Sequence, residues 1–284
     1  MVEPITAADT WSVAEFLHAE FSRQGLRRAR AAAEWRRAMS PPWDTEQPNR
    51  GYFMHDNGRV VGAYLALYSE RNIDGQLHRI CNLGVWCVAE EHRATGLKML
   101  RALLRQRGYT FTDLTPNPHV KNLNTRLGFS ELDTTTSLVP NVPWPLLSRK
   151  VRVVDDRDDI LNLLSGSDAQ IFRDHSATTV HHAVLTDGEK SCHVMFRRDK
   201  YRGFRVFGTV LYVSSHELFR QFQSHFYRYL SVRLGIPATL VETRVVGHRP
   251  AGSVSVPGRP KMYISHDLAP ENIDYLYSEL MCLD

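Results

Sequence analysis

Leu83-Gly84-Val85-Trp86-Cys87-Val88 is followed by a polar segment, residues 89–98, and then by a segment that extends to residue 107. The first six residues are rich in large apolar side chains, which predicts a buried strand. Apolar side chains then recur at helical spacing, which predicts a helix with one face in the core: Leu97, Leu100, Leu103 and Leu104. The stretch is therefore predicted to form a strand, a loop and a helix.

The loop between this strand and helix has features that suit a bound phosphate. Its backbone N–H groups lie at a helix start, where unpaired donors and the helix dipole attract anions. Gly96 has no side chain, so a ligand can approach the main chain closely there. An ordinary strand-to-helix turn explains the same residues equally well, and both interpretations stay open on this stretch alone.

A second stretch adds to the first. A strand is predicted over residues 109–114, and it is followed by Asn117, Val120, Leu123 and Leu127-Gly128-Phe129. In order and spacing, the two stretches together resemble the GNAT family of acyl-CoA-dependent N-acyltransferases. The resemblance covers roughly residues 1–140.

The matches and departures are specific. The family's phosphate loop, Arg/Gln-x-x-Gly-x-Gly/Ala, is matched at Arg93 and Gly96, but its last small residue is Lys98 here. The later motif is roughly Asn-x-x-Ala-x-x-Leu-Tyr-x-x-Leu-Gly-Phe, in which Val120 replaces Ala and Asn124 replaces Tyr. The remaining positions of that motif match.

Composition limits the class of protein. The chain has 284 residues, 43% of them hydrophobic and 23% charged, which indicates a soluble globular protein of one large or two ordinary domains. A net charge of +4 is too small to argue for nucleic acid. The four cysteines form no CxxC, so no zinc site or disulfide framework is indicated. Without a signal-peptide pattern or an apolar run of membrane length, we expect a cytoplasmic protein with no membrane partner.

The first half has the element order of the family. We expect a short strand at residues 2–5, a helix over 6–21, a basic helix over 27–39, and a hairpin over 51–68 that turns at Asn57-Gly58. The basic helix has two interpretations: it draws an anionic acceptor, or it is a solvated face.

The second half is predicted to repeat the first after a Pro-rich linker. Strands are expected over 151–154, 204–213 and 236–246, a hairpin over 182–196 that turns at Asp187-Gly188, and helices over 156–164, 216–234 and 273–280. The last of these helices is expected to pack on the second sheet. Only Ser214-Ser215 stands where the first half has its phosphate loop, and a capping box from Ser214 to Glu217 satisfies that helix start.

The predicted organisation follows from this repeat. The fold class is α/β, with two tandem GNAT-like domains whose mixed, mostly antiparallel sheets are flanked by helices. The domain with the acyl-CoA site is assigned to residues 1–139, the linker to 140–150, and a degenerate domain without a phosphate loop to 151–284.

The resemblance implies an acyl-CoA co-substrate, most simply acetyl-CoA. Lys98 either adds a charge to a phosphate or crowds the helix start. The residues implied to bind the co-substrate are Val88, Arg93, Ala94, Thr95, Gly96, Leu97, Lys98 and Asn117.

The sequence also offers candidates for the catalytic residues. The candidates are Asn124, Glu70 and Asp113, with His78 and Glu242 as further possible bases. An Asn amide cannot donate a proton as a general acid. Three alternatives therefore stay open: another Tyr is the acid, the thiolate leaves without a proton donor, or the site is inactive. The histidines show no ligand spacing, and no metal is expected.

The function predicted from the resemblance is N-acyl transfer, most simply N-acetyl transfer, to the amine of a small molecule or amino sugar. A homodimer is compatible with this function, and nucleic acid is not expected as a partner. Two alternatives stay open. One is a non-catalytic acyl-CoA or nucleotide-sugar binding module, and the other is a relative of the aminoacyl-tRNA-dependent transferases.

Overall fold

A computed structural model describes residues 1–25, 30–143, 150–201 and 204–283. The chain divides into two compact units. The first consists of Met1–Glu131, Lys261–Ile273 and Tyr277–Leu283, and the second of Leu132–Pro260 with Asp274–Leu276. Each unit has a seven-stranded, mostly antiparallel sheet flanked by helices. This architecture confirms the predicted α/β fold class.

Elements are numbered along the chain, and the first unit contains β1–β6, β14, α1–α4 and α9. The strand order in its sheet is β1-β2-β3-β4-β5-β14-β6. The bounds are β1 Val2–Pro4, α1 Thr10–Arg23, α2 Ala32–Ala38, β2 Gly51–Asp56, β3 Arg59–Ile73, β4 Gln76–Val88, α3 Leu97–Leu104, β5 Tyr109–Asp113, α4 Pro118–Arg126, β6 Ser130–Glu131, β14 Met262–Ile264 and α9 Glu279–Cys282.

Both faces of the first sheet are covered. Helix α3 buries Met99, Leu100 and Leu103 on one face, as its leucine spacing predicts. Helices α1 and α2 cover the other face with Val13, Leu17 and Trp35, among others. The sheet therefore has a core on each side, and its strands are held in fixed positions.

The β2–β3 hairpin forms at the predicted turn. Asn57 and Gly58 have φ values of 48° and 77°, as a two-residue hairpin turn with positive φ at both positions requires. Of the predicted basic helix, α2 covers Ala32–Ala38, while Arg27 and Arg28 lie outside the described residues.

Strands β4 and β5 are parallel over only part of the length of β4. Arg79 to Asn82 pair with Tyr109 to Thr112, and β4 then runs on for six residues with no strand of the described residues on that edge. On its other edge, the register with β3 shifts so that Gly84 and Val85 both lie opposite Leu65, which is a β-bulge. We call the point where β4 and β5 separate, after Asn82 and Thr112, the fork.

The second unit contains β7–β13 and α5–α8. Its strand order is β13-β7-β12-β11-β10-β9-β8, with β11 and β12 parallel. The bounds are β7 Thr136–Pro140, β8 Arg152–Val154, α5 Arg157–Leu163, α6 Gly166–His175, β9 His181–Thr186, β10 Ser191–Tyr201, β11 Phe204–Val213, α7 His216–Val232, β12 Ala238–Glu242, α8 Thr243–Val246 and β13 Val254–Val256.

The second unit has no phosphate-type loop between β11 and α7, as the sequence indicates. The helix cap differs from the expectation by one residue. The side chain of Ser215 accepts a hydrogen bond from the N–H of Leu218 at 3.3 Å, whereas Ser214 Oγ accepts from the N–H of His193 at 3.0 Å. Ser215 is therefore the N-cap, because the expected cap residue is engaged by β10.

The units exchange strands relative to the sequence-based division at residues 139 and 151. Strand β7, which that division assigns to the end of the first domain and the start of the linker, pairs with β12 in the second sheet. Strand β14, placed in the second half, pairs with β5 in the first. Local sequence patterns identify strands but not their distant partners, so this exchange could not be predicted from them. The linker residues 144–149 lie outside the described residues.

The predicted closing helix over 273–280 is also wrong. The segment instead forms a 3₁₀ turn at Pro270–Asn272 and the short α9, and the residues of α9 belong to the first unit. Among the described residues, no helix combines the length and the apolar character needed to cross a bilayer.

Candidate functional site

The loop after β4 folds as a 3₁₀ helix over Glu90–Thr95. Two hydrogen bonds form within this segment: Thr95 Oγ1 donates to the carbonyl of His92 at 2.8 Å, and the N–H of Gly96 donates to the carbonyl of Arg93 at 3.2 Å. One N–H implied to bind a phosphate is thus engaged. The N–H groups of Leu97 and Lys98 follow, in the first turn of α3, where a helix has no carbonyls of its own to accept them.

Gly96 allows the loop to pack on β4. A Cβ at this position would lie 3.0 Å from Val88 Cγ2 and 3.6 Å from Trp86 Cζ2. Gly96 is buried, with a φ of −55° that any residue can adopt, so close packing rather than backbone freedom calls for glycine here. The side of Gly96 that lacks a side chain therefore faces the strand and the carbonyl oxygen of Arg93, which lies 3.3 Å from such a Cβ.

The other residues implied to hold the co-substrate lie in this loop or next to it in the sequence, except Asn117. Arg93, Ala94, Thr95 and Lys98 are exposed, while Val88 and Leu97 are half-buried. Asn117 caps α4, where its Oδ1 accepts from the N–H groups of His119 and Val120, each at 3.0 Å. Its side-chain oxygen is therefore engaged in the cap.

At the fork, two of the predicted catalytic residues meet. Asn124 Nδ2, from α4, donates to Asp113 Oδ2, at the end of β5, at 2.8 Å. Both side chains are buried, with 0% of Asn124 and 3% of Asp113 exposed. Beside them, Asn82 Nδ2 donates to Thr112 Oγ1 at 3.0 Å, which ties β4 to β5 at their last paired residues.

The C-terminal segment adds a carboxyl group that the sequence analysis missed. The N–H of Glu279 donates to Asn82 Oδ1 at 3.0 Å, and Thr115 Oγ1 donates to Glu279 Oε1 at 3.1 Å. Only 4% of Glu279 is exposed. An acidic residue directly before the apolar pair Leu280-Met281, near the end of the chain, was the available signal. We call Asn82, Asp113, Thr115, Asn124 and Glu279 the fork cluster.

Burial controls the protonation of the two carboxyl groups. Loss of solvation raises the pKa of Glu279 to about 7, and the charge of Asp113 adds to this shift. Burial also raises the pKa of Asp113 to about 6, against the hydrogen bonds from Asn124 and the backbone of Thr115. Buried Tyr64 lies near both carboxyls, and burial followed by their charges raises the pKa of its hydroxyl.

Two buried oxygens of the fork cluster have no hydrogen-bond partner among the described residues. They are Glu279 Oε2 and Asn124 Oδ1. A buried polar atom without a partner is costly, so each marks a place where a water or a substrate group can bind. The cluster therefore holds titratable groups with unused hydrogen-bonding capacity.

A strained turn holds the C-terminal segment in place. Tyr277 has a φ of 59°, in the left-handed region that aromatic residues rarely adopt. Its ring packs edge-on against Trp43 at 5.3 Å between centroids, and Arg71 lies over the same ring. Ser278 then caps α9. These contacts fix the backbone that presents Glu279.

The remaining predicted bases lie elsewhere. Glu70 is exposed and lies opposite Arg79 in the sheet, and half-buried His78 lies opposite Arg71. Glu242 belongs to the second unit, where its carboxylate accepts a hydrogen bond from the hydroxyl of Tyr275. None of these three is a member of the fork cluster. No group of three or more His, Cys, Asp or Glu that could hold a metal occurs in the part of the chain that the structure describes.

Solved structures share this fold, although the sequence matches no protein-family model and no curated protein. A GCN5-related N-acetyltransferase of Anabaena variabilis is 11% identical, with a TM-score of 0.62 over 93% of this chain and 72% of that one. A fungal structure described as a GCN5-related glucosamine N-acetyltransferase region is 11% identical, with a TM-score of 0.57 over 93% and 38%.

The third comparison is N-myristoyltransferase of Saccharomyces cerevisiae with bound myristoyl-CoA. It is 12% identical, with a TM-score of 0.51 over 100% of this chain and 85% of that one. At these identities the likeness concerns the fold. The chain thus has the fold of the GCN5-related N-acetyltransferases, as the sequence resemblance indicated.

Proposed function

We propose that the chain is an acyl-CoA-dependent N-acyltransferase. The observation that carries the proposal is the fork, where β4 continues past β5 with an unpaired edge and a cluster of buried carboxyl and amide groups lies at the point of separation. A free strand edge offers N–H and C=O groups to an extended amide chain such as a pantetheine arm. The start of α3 follows at the far end of the same strand.

The loop residues fit the anionic end of such a co-substrate. The backbone N–H groups of Leu97 and Lys98 and the dipole of α3 favour a pyrophosphate. Arg93 in the loop and Lys98 in the first turn of α3 are exposed, and neither forms an ion pair with a described residue. Val88 and Ala94 to Gly96 complete the predicted binding stretch. Asn117, the N-cap of α4, is the remaining predicted contact.

Lys98→Ala tests the interpretation of Lys98 as a phosphate contact. If its ammonium group pairs with a phosphate, the variant binds acetyl-CoA several-fold more weakly, and the loss decreases as salt is added. Calorimetric titration at low and high salt measures both effects. Tighter binding by the variant would contradict a phosphate contact and support the alternative, in which the bulk of Lys98 crowds the helix start.

The proposed reaction is transfer of an acetyl group to the amine of a small molecule or amino sugar. The acceptor class is supported by the glucosamine acetyltransferase region named above, and acyl-CoA in general by the myristoyl-CoA complex. The longer chain in the second structure makes acyl length a variable that has to be measured. Acetyl-CoA stands as the simplest donor.

The experiment is thiol release from acetyl-, octanoyl- and myristoyl-CoA with a panel of amino sugars, polyamines and amino acids. We expect amine-dependent release with at least one pair and a product that carries the acyl group by mass spectrometry. Tight binding of acyl-CoA without turnover on any acceptor would contradict the proposed enzymatic activity and indicate a binding module. Absence of both binding and turnover would contradict the acyl-CoA site itself.

A further inference from the structure

We propose that Glu279, carried into the first unit by the C-terminal segment, is the group that accepts the proton of the acceptor amine. The proposal rests on the N-acyltransferase function proposed above and adds a catalytic residue to it. Three observations support it: the position of Glu279 beside β4, the hydrogen-bond partners of its carboxyl oxygens, and the turn at Tyr277 that holds its backbone in place.

The position follows from contacts with β4. The backbone N–H of Glu279 bonds to Asn82, the last residue of β4 that pairs with β5. A Cβ on Gly84 would lie 3.9 Å from the Cβ of Glu279. The free edge between Val88 and Gly84 spans roughly 13 Å at the usual rise per residue. The reactive end of an arm that enters at Val88 and pairs along this edge would therefore lie beside Glu279.

The carboxyl oxygens have different partners. Oε1 accepts from Thr115, whereas Oε2 is buried and has no partner among the described residues. By contrast, Asp113 Oδ2 is engaged by Asn124, and the backbone of Thr115 also bonds to this carboxyl group. Glu279 is the member of the pair with an oxygen left to take a proton.

The groups around Glu279 adjust its affinity for that proton. Asp113 faces it from the end of β5 and Tyr64 from β3, while Cys282 lies on its own short helix. Thr115 Oγ1 donates a hydrogen bond to the carboxyl, which opposes the rise in its pKa, and Asn82 Oδ1 accepts from the backbone N–H of Glu279. Burial and the negative charge of Asp113 both favour the protonated form, which places the pKa of Glu279 near neutral pH, as a general base requires. Asp113 is thus a positioning residue that acts through Glu279.

The proton and the electron pairs balance. The substrate ammonium gives one proton to the Glu279 carboxylate, and the free amine forms a C–N bond with the thioester carbonyl carbon. The C–S bond breaks, and the thiolate leaves with the electron pair of that bond. The second proton on nitrogen goes to the thiolate, so the products are the amide and the free thiol. Glu279 then releases its proton to solvent.

The test compares Glu279→Gln with Glu271→Gln, a matched change at an exposed carboxylate in the same C-terminal region. We expect kcat to fall by roughly 10²-fold or more for the first and to stay unchanged for the second. The acidic limb of the kcat/KM profile, centred near pH 7 in the wild type, disappears in Glu279→Gln. Acyl-CoA binding stays within a factor of about 3.

Glu279→Ala with added formate guards against a merely structural effect. If Glu279 accepts the proton, formate restores part of kcat in this variant and leaves the wild type unchanged. An active wild type, together with a Glu279→Gln variant that keeps its kcat and its acidic limb, would overturn the proposal and leave the proposed function intact. A wild type that turns over no acyl-CoA with any amine would refute the proposed function, and the role of Glu279 would fall with it.

Discussion

Glu279→Gln is expected to stabilise the first unit at alkaline pH, because the native environment disfavours the ionised carboxyl. Burial, together with the charge of Asp113, raises the pKa of Glu279 from 4.5 to about 7. For an acid, a folded pKa above the unfolded one means that the unfolded state gains stability from ionisation as pH rises. The penalty on the folded state begins above about pH 4.5 and reaches full size above about pH 7.

The expected size follows from this shift. Between pH 5 and pH 8, the native penalty grows by nearly two pKa units, which corresponds to roughly 2–3 kcal/mol. Glutamine cannot ionise, so Glu279→Gln avoids this growth. Any fixed cost of the amide, such as an imperfect hydrogen bond to Thr115, is the same at both pH values. The difference between the two pH values therefore isolates the ionisation.

Urea unfolding followed by tryptophan fluorescence measures this difference. Trp11, Trp35, Trp43 and Trp86 all lie in the first unit, so the signal reports mainly on that unit. Relative to wild type, Glu279→Gln should gain roughly 2–3 kcal/mol in unfolding free energy on going from pH 5 to pH 8. Glu271→Gln should show no such change. Equal effects of Glu279→Gln at the two pH values would refute a buried carboxyl with a raised pKa.

Two further predictions concern the packing of the loop and the second unit. Gly96→Val places atoms against β4 and should destabilise the first unit by about 1–3 kcal/mol in urea unfolding. The control Glu91→Val, at an exposed loop position, should change the unfolding free energy by less than about 0.5 kcal/mol. Equal effects of the two variants would contradict the packing role of Gly96. Burial lowers the pKa of His182 to about 4 and that of His193 to about 3, so both side chains should stay neutral in proton NMR titration until well below pH 6. Because these histidines bind protons more readily when unfolded, the second unit should lose stability as pH falls from about 6.5 towards 4. Titration of either histidine near pH 6.5 would contradict this prediction.

Much of the first unit could be predicted because its signals are local. The helical spacing of leucines in α3 and the Asn57-Gly58 turn each specify their own element. The resemblance placed Asn124 among the catalytic candidates, and its position near a predicted strand end placed Asp113 there; the structure brings their side chains within hydrogen-bonding distance. Their part in catalysis stays a prediction.

The rest depended on distant pairings. The exchange of β7 and β14 leaves no local pattern, because a short strand carries no mark of which sheet it joins. Glu279 was missed for the same reason, since its segment resembles a helix on the second sheet until its contacts with Asn82 and Thr115 are known. A buried acid becomes a candidate base only when its surroundings are visible.

Calorimetric titration of acetyl-CoA into the wild type, Gly96→Trp and Glu91→Trp tests whether an acyl-CoA site lies at the start of α3. We expect micromolar binding to the wild type and to Glu91→Trp, whose position is exposed. We expect no binding to Gly96→Trp, because the indole must displace the loop from Val88. Absence of binding to the wild type, or unchanged binding to Gly96→Trp, would contradict an acyl-CoA site at the start of α3.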